Sequence, residues 1–264
     1  MNLHLQNKRA LITGSTSGIG FAIAQTLAQE GAEVIITGRT QERVDSAVTK
    51  IKTQLPDAKV QGFAGDLAQA EVTEKLTRAV PNIDILVNNL GIYAPKAFAE
   101  ISDAEWHQFI ETNFMSGLRL ARFYLPQLLQ RDWGRIVFIA SESAFDVPKE
   151  MIHYGVTKTM QVSLARGLAS LCAGSQVTVN SLLPGPTRSE GVDEFIGNVA
   201  RETGVDKASA ERDFFTQTRP NSLLRRFATT TEIAAFCAYI VSPLAAATNG
   251  AALRADGGII NSLQ

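Results

Sequence analysis

Residues 10–20 read ALITGSTSGIG, and the reading of this stretch decides the fold. Ala10–Thr13 is a short, apolar, β-favouring run. Behind it Gly14, Gly18 and Gly20 stand at G-x-x-x-G-x-G spacing, and a helical pattern of Ile19, Ile23 and Leu27 with Ala22 and Ala24 follows. A strand that turns into a helix through glycines is built to cradle a dinucleotide. Glycine permits positive φ and lets the main chain approach a pyrophosphate, while the helix N-terminus offers free N–H groups and a favourable dipole. The spacing does not suit a P-loop, which ends in Gly-Lys-Ser/Thr. Tight turns need glycine anyway, so the loop takes its meaning from its place between strand and helix.

Outward from this point the alternation continues. Strand-like runs recur at Val34–Thr37, Val60–Phe63, Ile83–Val87, Ile136–Ala140 and Val177–Ser181, separated by segments of helical period such as Leu118, Ala121, Arg122 and Leu125. Strands that are nearly all apolar are covered by helices on both sides. The pattern therefore predicts an α/β, Rossmann-type, doubly wound parallel sheet of about seven strands. Without linker, repeat or low-complexity tract, residues 1–264 form one expected NAD(P)-binding domain. The rhythm lapses between Thr187 and Phe227. There Val192, Phe195, Ile196 and Val199 mark a short amphipathic helix, and Ala210–Gln217, anchored by Phe214 and Phe215, marks a second. This segment, 187–227, is expected to be a substrate lid.

Bulk properties exclude several classes. Charged residues are 19% of the chain, its formal net charge is -1, and Lys and Arg are dispersed. Neither a nucleic-acid surface nor a polybasic membrane patch is expected. No run approaches the ~18 apolar residues of a spanning helix, and the N-terminus lacks a leader-like apolar stretch. Cys172 and Cys237 lie in helical apolar patterns and read as reduced core residues, so a cytoplasmic location is expected. His4, His107 and His153 do not cluster, which argues against a catalytic metal.

The second strand-like run ends in Gly38-Arg39-Thr40, where an acidic residue would accept from a ribose 2′-hydroxyl and select NAD. Gly38 removes that carboxylate, and Arg39 can pair with a 2′-phosphate. NADP(H) is the preferred cofactor and NAD(H) the alternative. Asp66, ahead of Leu67, can accept from an adenine amino group or cap a helix beginning at Leu67.

Tyr154 and Lys158 stand four residues apart in a helical pattern, so they project from one face. A phenol titrates near 10, and a neighbouring ammonium is expected to lower that value and fit the group for proton transfer. Such a pair is common and means little alone. Ser141, at the end of the preceding strand, can hold a substrate oxygen against the phenol. Asn113 is a poor helix former within a helix expected to start near Asp103, and suits a relay through a water or backbone carbonyl.

Taken in order, TGSTSGIG, Asn88-Asn89-Leu90-Gly91, Asn113, Ser141, Tyr154-x-x-x-Lys158 and Pro184-Gly185-Pro186-Thr187 resemble the short-chain dehydrogenase/reductase family in its shorter, single-domain branch. The likeness runs on to Gly250–Gly258, similar to that family's last strand. It implies a catalytic tetrad of Asn113, Ser141, Tyr154 and Lys158. It also implies cofactor contacts at Gly14, Ser15, Ser17, Gly18, Ile19, Gly20, Asn89 and Gly91. Lys158 would bond the nicotinamide ribose, and Thr187, with Pro184 and Gly185, would meet the carboxamide. The resemblance implies a homotetramer or homodimer built on the helices around Asp103–Arg131 and Ile152–Cys172. The implied activity is hydride transfer between nicotinamide and a carbonyl or secondary alcohol, with a 3-oxoacyl thioester the most ordinary substrate. Sugars, steroids or small ketones are the alternatives, as is a non-catalytic nucleotide-binding protein. Leu90 departs from the family's usual Ala. Glu142 and Arg188, if both face the substrate, make the pocket polar. His153, beside Tyr154, points elsewhere on the helix and reads as structural.

Overall fold

The computed structural model describes residues 1–263. In chain order come β1 (Arg9–Ile12), α1 (Gly18–Gln29), β2 (Glu33–Gly38), α2 (Gln41–Gln54), β3 (Val60–Ala64), α3 (Ala70–Ala79) and β4 (Ile85–Asn88). Next are α4 (Asp103–Ile110), α5 (Ser116–Gln130), β5 (Gly134–Ile139), α6 (Ile152–Leu171) and β6 (Val177–Pro184). The chain finishes with β7 (Thr187–Arg188), α7 (Glu190–Thr203), α8 (Lys207–Asp213), β8 (Ala228–Thr229), α9 (Thr230–Ile240) and β9 (Ala252–Ala255). Seven strands form one sheet in the order β3-β2-β1-β4-β5-β6-β9, and every neighbouring pair is parallel. The expected doubly wound parallel sheet is what the chain forms.

Strand alternation sorts the core into two layers. Ile12, Ile36 and Val87 face α1 and α9, whereas Leu11, Ile35, Leu86 and Ile136 face the side of α3, α5 and α6. Each such fully buried aliphatic side chain stabilises the fold by about 1.5–3 kcal/mol. The strand order reverses between β1 and β4, so the loops at their carboxyl ends part and leave a crevice. That crevice is where the residues singled out above converge.

Two local features differ from the expectation. The helix expected from Asp103 to Arg131 is interrupted by a π-helical turn at Glu111–Met115, and Asn113 lies in that turn. Such widened turns often accompany functional side chains, because the extra residue re-aims them. The region after β6 also contains a strand that the sequence did not signal. Thr187 and Arg188 pair in parallel with Ala228 and Thr229, a ladder too short to leave a periodic trace. The two expected helices are present as α7 and as α8 with a π-helical turn at Phe214–Thr218. They bury a small core of their own, Ile196, Ala200, Ala210, Phe215 and Phe227, with Phe214 stacked on Phe227 at 5.2 Å.

Candidate active site

At the β1–α1 turn the main chain does most of the work. Gly14 takes φ +59°, a region that strains other residues. A side-chain carbon on Gly20 would lie 2.5 Å from the Gly14 carbonyl and 2.4 Å from Asn89 Nδ2, so α1 packs against this loop only because Gly20 lacks one. Ser17 is the N-cap of α1, its hydroxyl forms no capping bond, and the first turn carries no acidic residue. That helix end is free to receive an anion, which is the chemistry a pyrophosphate requires.

Several side chains expected at the cofactor instead brace the loop. Ser15 is fully buried; its hydroxyl donates to the Ile12 carbonyl at 2.7 Å and accepts from Thr37 N–H at 2.9 Å. Its own N–H is spent on the Thr37 carbonyl. Ser15 thus ties the loop to β2. Asn89 Nδ2 donates to the carbonyls of Thr13 and Gly14 at 3.0 and 2.9 Å, and the Thr13 hydroxyl accepts from the N–H groups of Asn89 and Leu90. The loop after β4 is thereby clamped to the glycine turn. Asp66 is not a helix cap, since α3 starts at Ala70; its carboxylate accepts from Ala68 N–H within the preceding turn. Leu67 is buried in the core, leaving only its main chain to face the crevice. Arg39 is exposed just past β2 and makes no ion pair among the described residues. Ile19 lies half-buried in the first turn of α1, and a side-chain carbon on Gly18 would stand 3.8 Å from Ser189 at the start of α7.

The four tetrad candidates come together at the carboxyl ends of β4 and β5. Asn113 is buried, accepts from Ile92 N–H at 2.7 Å, and donates to the Ile92 carbonyl and the Thr157 hydroxyl, both at 3.0 Å. Its side chain locks the β4 loop to α6 and is fully used in doing so. Its backbone carbonyl accepts from Gln161 Nε2, whose Oε1 accepts from Lys158 at 3.3 Å. The carbonyl expected to organise a relay is therefore joined to Lys158 through Gln161. Lys158 Nζ also donates to the Ile139 carbonyl at 2.8 Å and lies 5.5 Å from the centre of the Tyr154 ring. A side-chain carbon on Gly91 would be 3.5 Å from both Asn113 Oδ1 and Lys158 Nζ. Ser141 follows β5 in an extended conformation; its hydroxyl accepts from Ser143 N–H at 3.1 Å and donates to the Glu142 carboxylate. Thr187 donates to the Gly185 carbonyl at 2.9 Å, and Pro184 closes β6 beside β9.

The electrostatics differ from the simple tyrosine–lysine picture. Burial, and then the Glu142 charge, raise the Tyr154 phenol above its ordinary value; the Ser141 hydrogen bond and Arg219 oppose this. Lys158 turns its ammonium toward Ile139 and Gln161. Burial pushes Lys158 itself down to about 8, with Glu142 acting the other way. Glu142 is buried beside Ser141, and burial raises its carboxyl. Arg188 does not face the site: it pairs with Asp193 at 2.8 Å and with Glu211. His153 is buried against Phe109 at 3.9 Å, on the α4 side of the helix.

Three residues of this site escape sequence reasoning. Arg219 comes from the segment after α8, reaches Glu142 at 3.6 Å and bonds Glu150 at 3.0 Å. Tyr93 meets the Tyr154 ring edge-on at 6.3 Å. Gln161 sits one turn beyond Lys158, where i+3 spacing was the available signal. Among the described residues no group of three or more His, Cys, Asp or Glu could hold a metal, and no helix is long and apolar enough to cross a membrane.

Comparison with known proteins agrees with this geometry. Residues 8–198 match the model of the short chain dehydrogenase family. The chain is 48% identical over 263 residues to the uncharacterized oxidoreductase YvaG of Bacillus subtilis (strain 168), covering 100% of both chains. It is 31% identical over 263 residues to the 3-oxoacyl-[acyl-carrier-protein] reductase FabG of Aquifex aeolicus (strain VF5), covering 98% of this chain and 100% of that one. Among solved structures, the L-sorbose reductase of Gluconobacter frateurii, complexed with NADPH and L-sorbose, superposes with TM-score 0.94 at 29% identity over 100% of each chain.

Proposed function

The chain belongs to the short-chain dehydrogenase/reductase family and is an NAD(P)-dependent oxidoreductase; from that premise we propose that it is an NADP(H)-preferring enzyme interconverting a carbonyl and a secondary alcohol at Ser141, Tyr154, Lys158 and Asn113. The observation that carries the reading is their convergence at the sheet's carboxyl edge, with Lys158 5.5 Å from the Tyr154 ring.

A bound nicotinamide would supply or take the hydride. The chain's own residues handle the proton. Tyr154 gives its proton to the carbonyl oxygen during reduction and recovers it during oxidation. Ser141 holds that oxygen by turning its hydroxyl proton to it from Glu142, while Ser143 N–H keeps the hydroxyl in place. Lys158 contributes positive charge, and Asn113 keeps the β4 loop and α6 in register. The glycine turn with Ser17 at the head of α1 would hold the pyrophosphate, and the exposed Arg39 would pair with a 2′-phosphate. Segment 187–227 is the lid, which its separate small core supports. A homotetramer in the cytoplasm completes the proposal; exposed Phe123, Val156 and Leu171 on α5 and α6 support the assembly.

Turnover of carbonyl substrates with NADPH tests the reading. Tyr154→Phe is expected to abolish turnover while NADPH binding persists; undiminished turnover would overturn the assignment. A 3-oxoacyl thioester is the substrate that the resemblance suggests. The buried charges beside Ser141 favour a second, more polar class.

A further inference from the structure

The pair Glu142 and Arg219 is not needed by the proton-transfer chemistry, yet it lies beside it. Its side chains are only 7% and 13% exposed, so both charges have lost most of their water. A buried pair of this kind repays that cost only with good geometry, and a lid could be closed as well by apolar contacts. The geometry here is loose. Arg219 Nε stands 3.6 Å from Glu142 Oε1, beyond hydrogen-bond length. The guanidinium is steadied elsewhere, by Glu150 and by the Thr218 carbonyl at 2.9 Å. Glu142 is steadied through Ser141. Arg219 Nε and Glu142 Oε1 thus lie side by side without a hydrogen bond to each other, a donor and an acceptor open to a third group placed beside them.

A hydroxyl beside the pair suits both, since it donates to a carboxylate and accepts from a guanidinium at once. The couple lies beside the reacting oxygen, because Glu142 directly follows Ser141 and accepts from its hydroxyl. Glu142 is bonded to Ser141, the residue placed at that oxygen, so the recognised hydroxyl belongs close to the reacting carbon. An acyl chain would leave both charges further desolvated and unmatched.

Resting on the oxidoreductase reading above, we propose that Glu142 and Arg219 recognise a hydroxyl group next to the reacting carbonyl, and that the substrate is a polyhydroxylated carbonyl compound or the corresponding polyol.

The test compares kcat/KM with NADPH for a ketohexose, hexan-2-one and a 3-oxoacyl thioester. The wild-type protein is expected to favour the ketohexose over hexan-2-one by roughly 100-fold or more, as a site built to bond a hydroxyl rejects the analogue lacking it. In Glu142→Gln and Arg219→Gln that ratio is expected to collapse at least tenfold, with Arg219→Lys recovering part of it. Thermal unfolding checks that each variant is folded. A ratio unchanged in both folded variants, with all rates falling together, would make the couple a support for Ser141 and overturn the proposal. Preferred turnover of hexan-2-one or the thioester by the wild type would overturn it too, while leaving the oxidoreductase reading intact. Absence of turnover for every carbonyl and alcohol, with NADPH bound, would remove both.

Discussion

The two ends of the crevice are made in opposite ways. At the β1–α1 turn, polar side chains point inward: Ser15, Thr13 and Asn89 bond backbone groups and hold the loop in shape, leaving the main chain and a helix end to face a ligand. At the β5–α6 end, ionisable side chains are buried around one another, and burial displaces the protonation of Tyr154, Lys158 and Glu142 alike. The first end is expected to respond to added atoms, since a side-chain carbon on Gly20 would lie 2.5 Å from the Gly14 carbonyl. The second is expected to respond to pH. Binding an anion by backbone dipoles requires close approach, whereas moving a proton requires groups whose charged forms are poorly solvated.

The sharpest way to break this contrast is Tyr154→Phe. Turnover is expected to fall by 10²–10⁴-fold or more, while fluorescence titration finds NADPH affinity within about threefold of the parent, an allowance set by truncating one hydroxyl. A comparable loss of affinity would mean that the two ends are not separable. The converse change is Gly20→Val. Its side chain collides with the Gly14 carbonyl, and overpacking of this kind costs about 1–3 kcal/mol. Cofactor affinity is expected to drop by about tenfold or more, and the shape of the pH–rate profile is expected to stay as it was.

Acidity sharpens the contrast further. Burial lowers the Lys158 value to about 8, so its charge is present below that pH and lost above it. In the reduction direction kcat/KM is expected to hold below pH 8 and to fall with rising pH, towards about tenfold per unit. Lys158→Arg, which keeps the charge, is expected to flatten that fall; a profile unaffected by the change would remove Lys158 from the chemistry. The smallest effect is expected at Arg39→Ala. An exposed charge-assisted contact contributes on the order of 1 kcal/mol, so NADPH binding is expected to weaken several-fold with NADH unchanged. Equal or tighter NADH binding by the parent would end the preference for NADP(H).

Much of the fold was legible in the residues. The runs at 34–37, 60–63 and 177–181 became β2, β3 and β6. Of these, β2 is apolar on both faces because helices cover it, β3 at the sheet edge exposes Gln61 and Gly62, and β6 buries the polar Thr178, Asn180 and Ser181 among its valines. The helices of segment 187–227 were legible through Val192, Ile196 and Val199, whose period survives in α7. The β7–β8 ladder was not, because two residues carry no period. The π-helical turn at Asn113 was signalled only by a residue out of place, and the long helix on either side concealed it.

The sequence by itself determined the alternating architecture, the glycine turn and the order of Asn113, Ser141, Tyr154 and Lys158, since these follow from local periodicity, backbone freedom and spacing along one helix. Tertiary structure decided the rest. It turned Ser15 and Asn89 inward as braces, faced Arg188 away, and brought Arg219 across 77 residues to Glu142. It also buried the Tyr154 phenol, whose value burial and then Glu142 raise. Burial and charge proximity act through space, and no spacing along the chain encodes which groups will share a desolvated pocket.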